Sequence, residues 1–396
     1  MTGAPALPVC PLCGDRSGTP VYSLAGAPKR HIVPAHHRVS AGDFARLEVV
    51  PCARCGHCYN AAFDPNEAES VYVESVITNA PVSPGMVAAI DQTAAAILSR
   101  VPGAKRVLEV GGGSGALALA MAARSARVTL VEPNRSLDSA AFARAGVDVI
   151  AGMFPAAGAD GPFDLVVCRQ VLEHVPFPGP FIDAILAALA PGGRIYLEVP
   201  SADYIFAQAS YIDFHFQHVQ YFRRDVLLRW LGQRGLAVAE AIDVKDGHDL
   251  GVFLQVARGP VESAALPDVR PALEGLAARR SAAVQALERA PKPVALYGAT
   301  AYAQAFLGVW GKRGGVEVIF DDTAHYWGSA IASASGLVPV LQPSAESVKR
   351  MASIVISAYL HDHEIARKLR GMGFAGGIYT LRSRVPDSAD GPRVLA

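Results

Sequence analysis

Val107-Leu108-Glu109-Val110-Gly111-Gly112-Gly113-Ser114-Gly115 is the stretch on which the fold turns. An apolar strand runs into a glycine turn, and a helix of small residues follows from Ala116. Glycine is needed where a backbone turns sharply and a ligand packs directly on it. The pattern E-x-G-x-G-x-G puts Gly111, Gly113 and Gly115 at such points. A second apolar strand, Val128-Thr129-Leu130-Val131, ends in Glu132, where a carboxylate can take both hydroxyls of a ribose. The leading Glu109 and the early helix start separate this unit from a dinucleotide fingerprint. The glycine run alone leaves open an NAD fold or a Rossmann unit without a cofactor.

Working outward, strands alternate with helical segments: Val107–Val110, Val128–Val131, Leu165–Cys168 and Ile195–Val199. That alternation implies an α/β domain with a parallel sheet and helices on both faces. An amphipathic helix near 81–100 leads into it, Pro191-Gly192-Gly193 reads as a turn, and a strand at Gly251–Ala257 closes it. Residues 261–292 read as a linker helix broken by Pro291-Lys292-Pro293. A second strand–glycine–helix unit starts at Val294-Ala295-Leu296-Tyr297-Gly298-Ala299-Thr300, with Asp321-Asp322 at the end of its next strand. One glycine there, instead of three, predicts a Rossmann-like domain (293–396) that is vestigial or purely structural. The expected division is therefore 1–80, 81–260, 261–292 and 293–396.

Lys+Arg and Asp+Glu are both 36, so the formal net charge is zero. No basic stripe is present, which argues against nucleic acid as the substrate. No apolar run is long enough for a bilayer, so no membrane partner is expected. The opening Met1-Thr2-Gly3-Ala4-Pro5 has no charged region or apolar core of a leader, and a cytoplasmic location is the expectation. Five of the cysteines, Cys10, Cys13, Cys52, Cys55 and Cys58, lie near the start. Cys10-Pro11-Leu12-Cys13 and Cys52-Ala53-Arg54-Cys55 are two C-x-x-C knuckles, each followed by glycine, and together they can close a tetrahedron on structural Zn²⁺. His57 and Cys58 are spare ligands.

Glu109 to Gly115 with Glu132 resembles motif I and its acidic partner in class I S-adenosylmethionine (SAM) methyltransferases. That resemblance implies SAM held by Glu109, Gly111, Gly113, Gly115 and Glu132. Gly152-Met153-Phe154 stands where an acid usually meets the adenine, so Met153 or Phe154 is expected to pack on the ring. Gln170, just after the fourth strand, joins the cofactor set. Asp164 opens a strand and is expected to be structural.

The order of zinc knuckles, SAM domain and a small Rossmann-like domain resembles zinc-containing sugar C-methyltransferases, which act on nucleotide-linked deoxysugars. The resemblance covers nearly the whole chain. Leu172-Glu173-His174-Val175 matches the segment whose histidine the family uses at its active site, although the same motif occurs in methyltransferases that leave it idle. His215-Phe216-Gln217-His218-Val219-Gln220-Tyr221-Phe222 is similar to the family's Tyr-His-Glu-His-x-x-Tyr-Phe. The resemblance makes His218 the general base, with His174 or Tyr221 stabilising the enolate oxygen and His215 as a second imidazole. It gives Gln217 and Phe222, with Tyr72 and Ser75 upstream, to the substrate. Here Gln217 replaces the family's glutamate and His215 its tyrosine. A carboxylate raises the basicity of a neighbouring imidazole and an amide only orients it, so restoring glutamate would be expected to leave activity intact or raised. The lysine and glycines of the family's C-terminal turn are missing. A bland reading, in which His215 and His218 only flank a substrate gate, stays open.

The resulting expectation is C-methylation of a small keto-deoxysugar. The alternatives are O- or N-methylation of a secondary metabolite, and a SAM-binding zinc scaffold without turnover.

Overall fold

The computed structural model describes residues 7, 9–16, 18–67, 80–81, 84–124, 126–134, 137–159, 161–257, 268–381 and 393–394. Tyr72 and Ser75 lie outside them. The first strands are β1 (Tyr22–Pro28), β2 (Val33–Pro34), β3 (Phe44–Pro51) and β4 (Cys58–Asn60). Helix α1 (Pro84–Arg100) then leads to β5 (Arg106–Val110), α2 (Ala116–Ala122), β6 (Arg127–Glu132), α3 (Ser139–Arg144) and β7 (Val147–Ala151). The chain continues through β8 (Phe163–Arg169), α4 (Pro178–Ala188), β9 (Leu189–Pro200), α5 (Ala202–Ala207) and β10 (Gln220–Tyr221). Next come α6 (Arg224–Gln233), β11 (Leu236–Val244), β12 (Asp249–Val256) and α7 (Arg270–Arg289). The last part is β13 (Val294–Tyr297), α8 (Ala301–Trp310), β14 (Val316–Phe320), β15 (Ser329–Ser333), β16 (Gly336–Leu341), α9 (Ala345–Lys349), β17 (Ser353–Ile356), α10 (Asp362–Gly371), β18 (Gly377–Thr380) and β19 (Arg393–Val394).

The central seven-stranded sheet has the order β11-β12-β9-β8-β5-β6-β7. Its middle strands are parallel and apolar on both faces, because helices cover both sides. The chain winds from β5 outward to β7, then returns to β8 on the other side of β5. That reversal opens a crevice at the carboxyl ends of β5 and β8, where α/β sheets bind ligands.

Two sequence expectations need correction here. Pro191–Gly193 is absorbed into β9, which runs on from Leu189 beside Phe163. The strand expected to close the domain, β12, is an inner strand: β11 pairs antiparallel outside it, and β12 itself runs antiparallel to β9. β11 alternates apolar and polar weakly, since its outer face meets solvent, and so carried little signal.

The flanking sheets are not closed units. The four-stranded sheet has the order β1-β3-β4-β10, so the histidine loop supplies its last strand. The eight-stranded sheet ends in β2, which pairs with β15.

Candidate functional site

The Gly111 turn bends with φ +68, and a Cβ there would come within 2.5 Å of Val171 Cγ2. Glycine therefore serves both the left-handed backbone and the close packing. Glu132, at the end of β6, accepts hydrogen bonds from the backbone N–H of Gly113 (2.7 Å) and of Asn134 (3.0 Å). A carboxylate has about four acceptor positions, so this clamp orients Glu132 and leaves capacity for ribose hydroxyls. Glycine cradle and oriented acid fit the ribose and backbone-contacting part of SAM.

Glu109 lies beneath the turn, buried, with Oε2 unpartnered, and burial pushes its carboxyl up to about 7. Gly115 caps α2 and faces Phe142. Neither lines the cavity, so both act by shaping the turn and not by lining the ligand space. Gln170 does line it, with a left-handed backbone (φ 54) that is uncommon for a non-glycine residue.

A single cavity of about 800 Å³ runs from Gly111, Gly113, Glu132, Met153 and Phe154 to a group of five histidines, His31, His174, His215, His218 and His248. The sequence-predicted residues His174, His215, Gln217 and His218 all line it. Tyr221 and Phe222 do not. Tyr221, on β10, is buried beside Phe214, and Phe222, just after it, is buried beside His57. The positions expected for catalysis at Tyr221 and substrate contact at Phe222 are thus in the core and not in the cavity lining.

Four of the five imidazoles are held neutral. Burial pushes His31 and His174 down to about 4. Burial and then the neighbouring His174 do the same to His215, also to about 4. Burial, His215 and His174 hold His218 well below the ordinary histidine range. The rings of His215 and His218 stand 3.8 Å apart between centroids, and those of His174 and His218 5.1 Å apart. His174 Nδ1 donates to Gln217 O at 2.8 Å, which leaves the lone pair on Nε2.

His248 is the opposite case. Burial alone would lower it, but hydrogen bonds to Asp213 and Asp249 and their charges outweigh that and lift it to about 10. Nδ1 donates to Asp249 at 2.6 Å, and Asp249 is in turn bound by Lys245 at 2.5 Å. The Tyr302 hydroxyl lies 3.1 Å from His248 Nε2. The cavity is thus lined by neutral imidazoles and by a cationic one coupled to a phenol.

Gln217 joins three parts of the chain. Its amide nitrogen donates to Lys29 O (2.9 Å) and to Gln304 Oε1 (3.4 Å), and its oxygen accepts from His215 Nδ1 (3.1 Å). Gln304, fully buried on the apolar α8, donates to Pro28 O at 2.6 Å. Both donor and acceptor ends of Gln217 are used, so glutamate would face Lys29 O without a proton to donate. The expected benefit of glutamate is replaced by an expected loss.

Ala301, Tyr302 and Gln304 come from the C-terminal domain, which thus contributes to the cavity lining. Sequence reading missed His31, His248, Asp213, Asp249, Tyr302 and Gln304. The His248-Asp249 dipeptide carried a faint signal; His31 carried none.

The four knuckle thiols converge. Cys10, Cys13, Cys52 and Cys55 offer sulfurs within 4.8 Å of one another, with Cys10–Cys55 at 3.6 Å and Cys13–Cys52 at 3.5 Å. Ligands on a tetrahedron with Zn–S about 2.3 Å stand roughly 3.8 Å apart, so the donor set fits zinc. His57 and Cys58 are not part of it: His57 Nε2 bonds Gln220 Oε1 at 2.7 Å, and Cys58 pairs with Tyr221 across β4 and β10. Among the described residues, no helix is long and apolar enough to cross a membrane.

A family profile described as a methyltransferase domain matches residues 86–241. A ubiquinone biosynthesis O-methyltransferase of Idiomarina loihiensis is 37% identical over 107 residues, 23% of this chain and 41% of that protein. One from Stutzerimonas stutzeri is 32% identical over 160 residues, 35% of this chain and 67% of that protein. This chain thus spans less than half of the first of these relatives. A solved Burkholderia thailandensis 1,6-didemethyltoxoflavin-N1-methyltransferase is 19% identical, with a TM-score of 0.37, covering 52% of this chain and 97% of its own.

Proposed function

Because the chain belongs to the class I SAM-dependent methyltransferases, we propose that it methylates carbon beside the carbonyl of a small, sugar-like acceptor, with His218 as base. The observation that carries this reading is one cavity lined both by the glycine turn and Glu132 and by neutral imidazoles together with cationic His248. SAM supplies a sulfonium methyl group, which needs only an electron pair from the acceptor. Gly111, Gly113 and Glu132 would hold its backbone and ribose ends, Met153 and Phe154 would pack on its adenine, and Gln170 would line its channel.

His218, neutral at pH 7, can take a proton from the acceptor carbon. His174 and His215 flank it. Tyr302, its oxygen 3.1 Å from Nε2 of cationic His248, can donate its O–H to a carbonyl oxygen as negative charge develops there, which acidifies the neighbouring C–H. Gln217 orients His215 and locks the loop to Lys29 and Gln304.

The lining limits the acceptor. Among the described residues no lysine or arginine lines the cavity, and the charge on His248 is matched by Asp213 and Asp249. A neutral, hydroxyl-rich acceptor suits these imidazole and amide groups, and any nucleotide diphosphate would remain outside the described lining. Zinc on the four thiolates, a closed set, would be structural.

Transfer to a hydroxyl oxygen is a second reading. The weak basicity of His218 favours a more acidic proton, and the matched relatives are named ubiquinone biosynthesis O-methyltransferases.

Incubation with keto-sugar acceptors in D₂O without SAM separates the two: carbon methylation predicts exchange of the acceptor α-proton, lost in His218→Ala. The same variant is expected to lose ~10²–10⁴-fold in methyl transfer while SAM affinity stays unchanged. Near-normal turnover would remove His218 as base. A methyl found on oxygen, with no exchange, would put the second reading first.

A further inference from the structure

We infer that Glu173, His174 and His218 form a second divalent-cation site, distinct from the thiolate cluster and open to the cavity. One carboxylate oxygen of Glu173 and one ring nitrogen from each histidine lie within 4.8 Å of one another. Glu173 is 1% exposed, and neither of its oxygens has a hydrogen-bond partner. His174 Nε2 stands 3.8 Å from Oε1, and burial raises the carboxyl well above its ordinary range, so Glu173 either keeps its proton or exchanges it for a cation that the two imidazoles also hold. The nearby Lys245 is committed to Asp249 at 2.5 Å.

His174 is prepared as a ligand, and His218 lies against it. His174 Nδ1 donates to the Gln217 carbonyl at 2.8 Å, and the His218 ring stands 5.1 Å from the His174 ring between centroids. Metal-bound histidines typically anchor the second nitrogen in this way, which fixes the ring and directs the other lone pair to the metal. The backbone adds rigidity: Val219 N donates to Glu173 O at 2.8 Å, holding the loop of His218 against the turn of Glu173 and His174.

Two imidazoles and one carboxylate favour Zn²⁺, Co²⁺ or Ni²⁺ over Mg²⁺ and Ca²⁺, which prefer all-oxygen sets. Ligands on a tetrahedral Zn²⁺ stand roughly 3.4 Å apart, so closure needs side-chain shifts of about an ångström. His174 and His218 line the cavity, so the remaining coordination position faces it. Occupancy would use the same lone pair that His218 needs as a base, so the cation would act against methyl transfer.

Cobalt titration of the full-length chain, first stripped of metal, tests the site. Two equivalents are expected in the wild type, counted by metal analysis. One should give the intense thiolate-to-cobalt band, and the other only weak ligand-field bands. Glu173→Gln and His218→Ala should each lose the second equivalent and keep the thiolate band, which also reports that the zinc module is folded. Saturation of the wild type at one equivalent, or a second equivalent that survives both substitutions, would overturn the site and leave the base reading standing. Binding of the second equivalent without any fall in methyl transfer would uphold the site and count against His218 as base.

Discussion

At the scale of single residues, the cavity separates positioning from contact. Glu132 is held by two backbone amides and presents its remaining acceptor capacity to the ligand space. Glu132→Ala removes a charge-assisted bond worth ~1.5–3 kcal/mol, and SAM affinity measured by calorimetry should fall roughly ten- to a hundredfold. Unchanged affinity would place the ribose elsewhere. Gln217 shows why resemblance does not transfer chemistry unaltered. Its amide N–H donates to Lys29 O, a backbone acceptor, so Gln217→Glu would set a carboxylate oxygen against that carbonyl. A melting temperature lower than wild type, with at least tenfold slower methyl transfer, is expected from the lost bonds and the displaced loop. Activity at or above wild type would show that the loop re-forms the carboxylate–imidazole pair.

At the scale of elements, short strand pairings tie the zinc module to the chemistry. β10 is two residues long, yet it pairs with β4 immediately after the second knuckle. Asn60 N donates to Val219 O, and Gln220 bonds both His57 and Val175 O. The knuckle strand and the histidine loop are therefore joined by both backbone and side-chain bonds. Cys13→Ser should lose the thiolate metal and lower the melting temperature by several degrees, at roughly 2–4 °C per kcal/mol for a domain of ~150–250 residues. It should also slow methyl transfer while leaving SAM affinity within about twofold, because the glycine turn rests on the other sheet. A metal-free variant that melts and turns over like wild type would contradict this coupling.

At the scale of the whole molecule, three parts of the chain bury histidines of opposite charge preference in one cavity. His31, His174 and His215 are depressed to about 4 in the fold. Their unfolded value is near ~6.5, so their contribution is complete above that pH and lost as pH falls toward 4. His248 is raised to about 10, so its contribution is complete below ~6.5 and lost as pH rises toward 10. Melting temperature is therefore expected to peak near neutrality. His248→Gln should flatten the alkaline limb and leave the acid limb in place. An alkaline limb of unchanged steepness in that variant would show that His248 carries no such charge.

What the sequence determined by itself is what local pattern encodes. Glycine spacing, the acid at a strand end and paired knuckles are short-range signals, and they announced the β5 turn, Glu132 and the four thiols without any neighbours. Apolar runs buried on both faces likewise revealed the parallel strands of the central and C-terminal sheets. The half-exposed β11, the two-residue β2 and β10 and the crossing of strands between sheets left no comparable pattern, since such strands are stabilised by partners far along the chain. The tertiary structure alone decided which histidines share a cavity, and which are charged. An imidazole's protonation depends on burial and on the carboxylates that face it, and His31, His248 and Tyr302 reach the cavity only after three sheets have packed. For the same reason Tyr221, adjacent in sequence to the histidine loop, turns into the core.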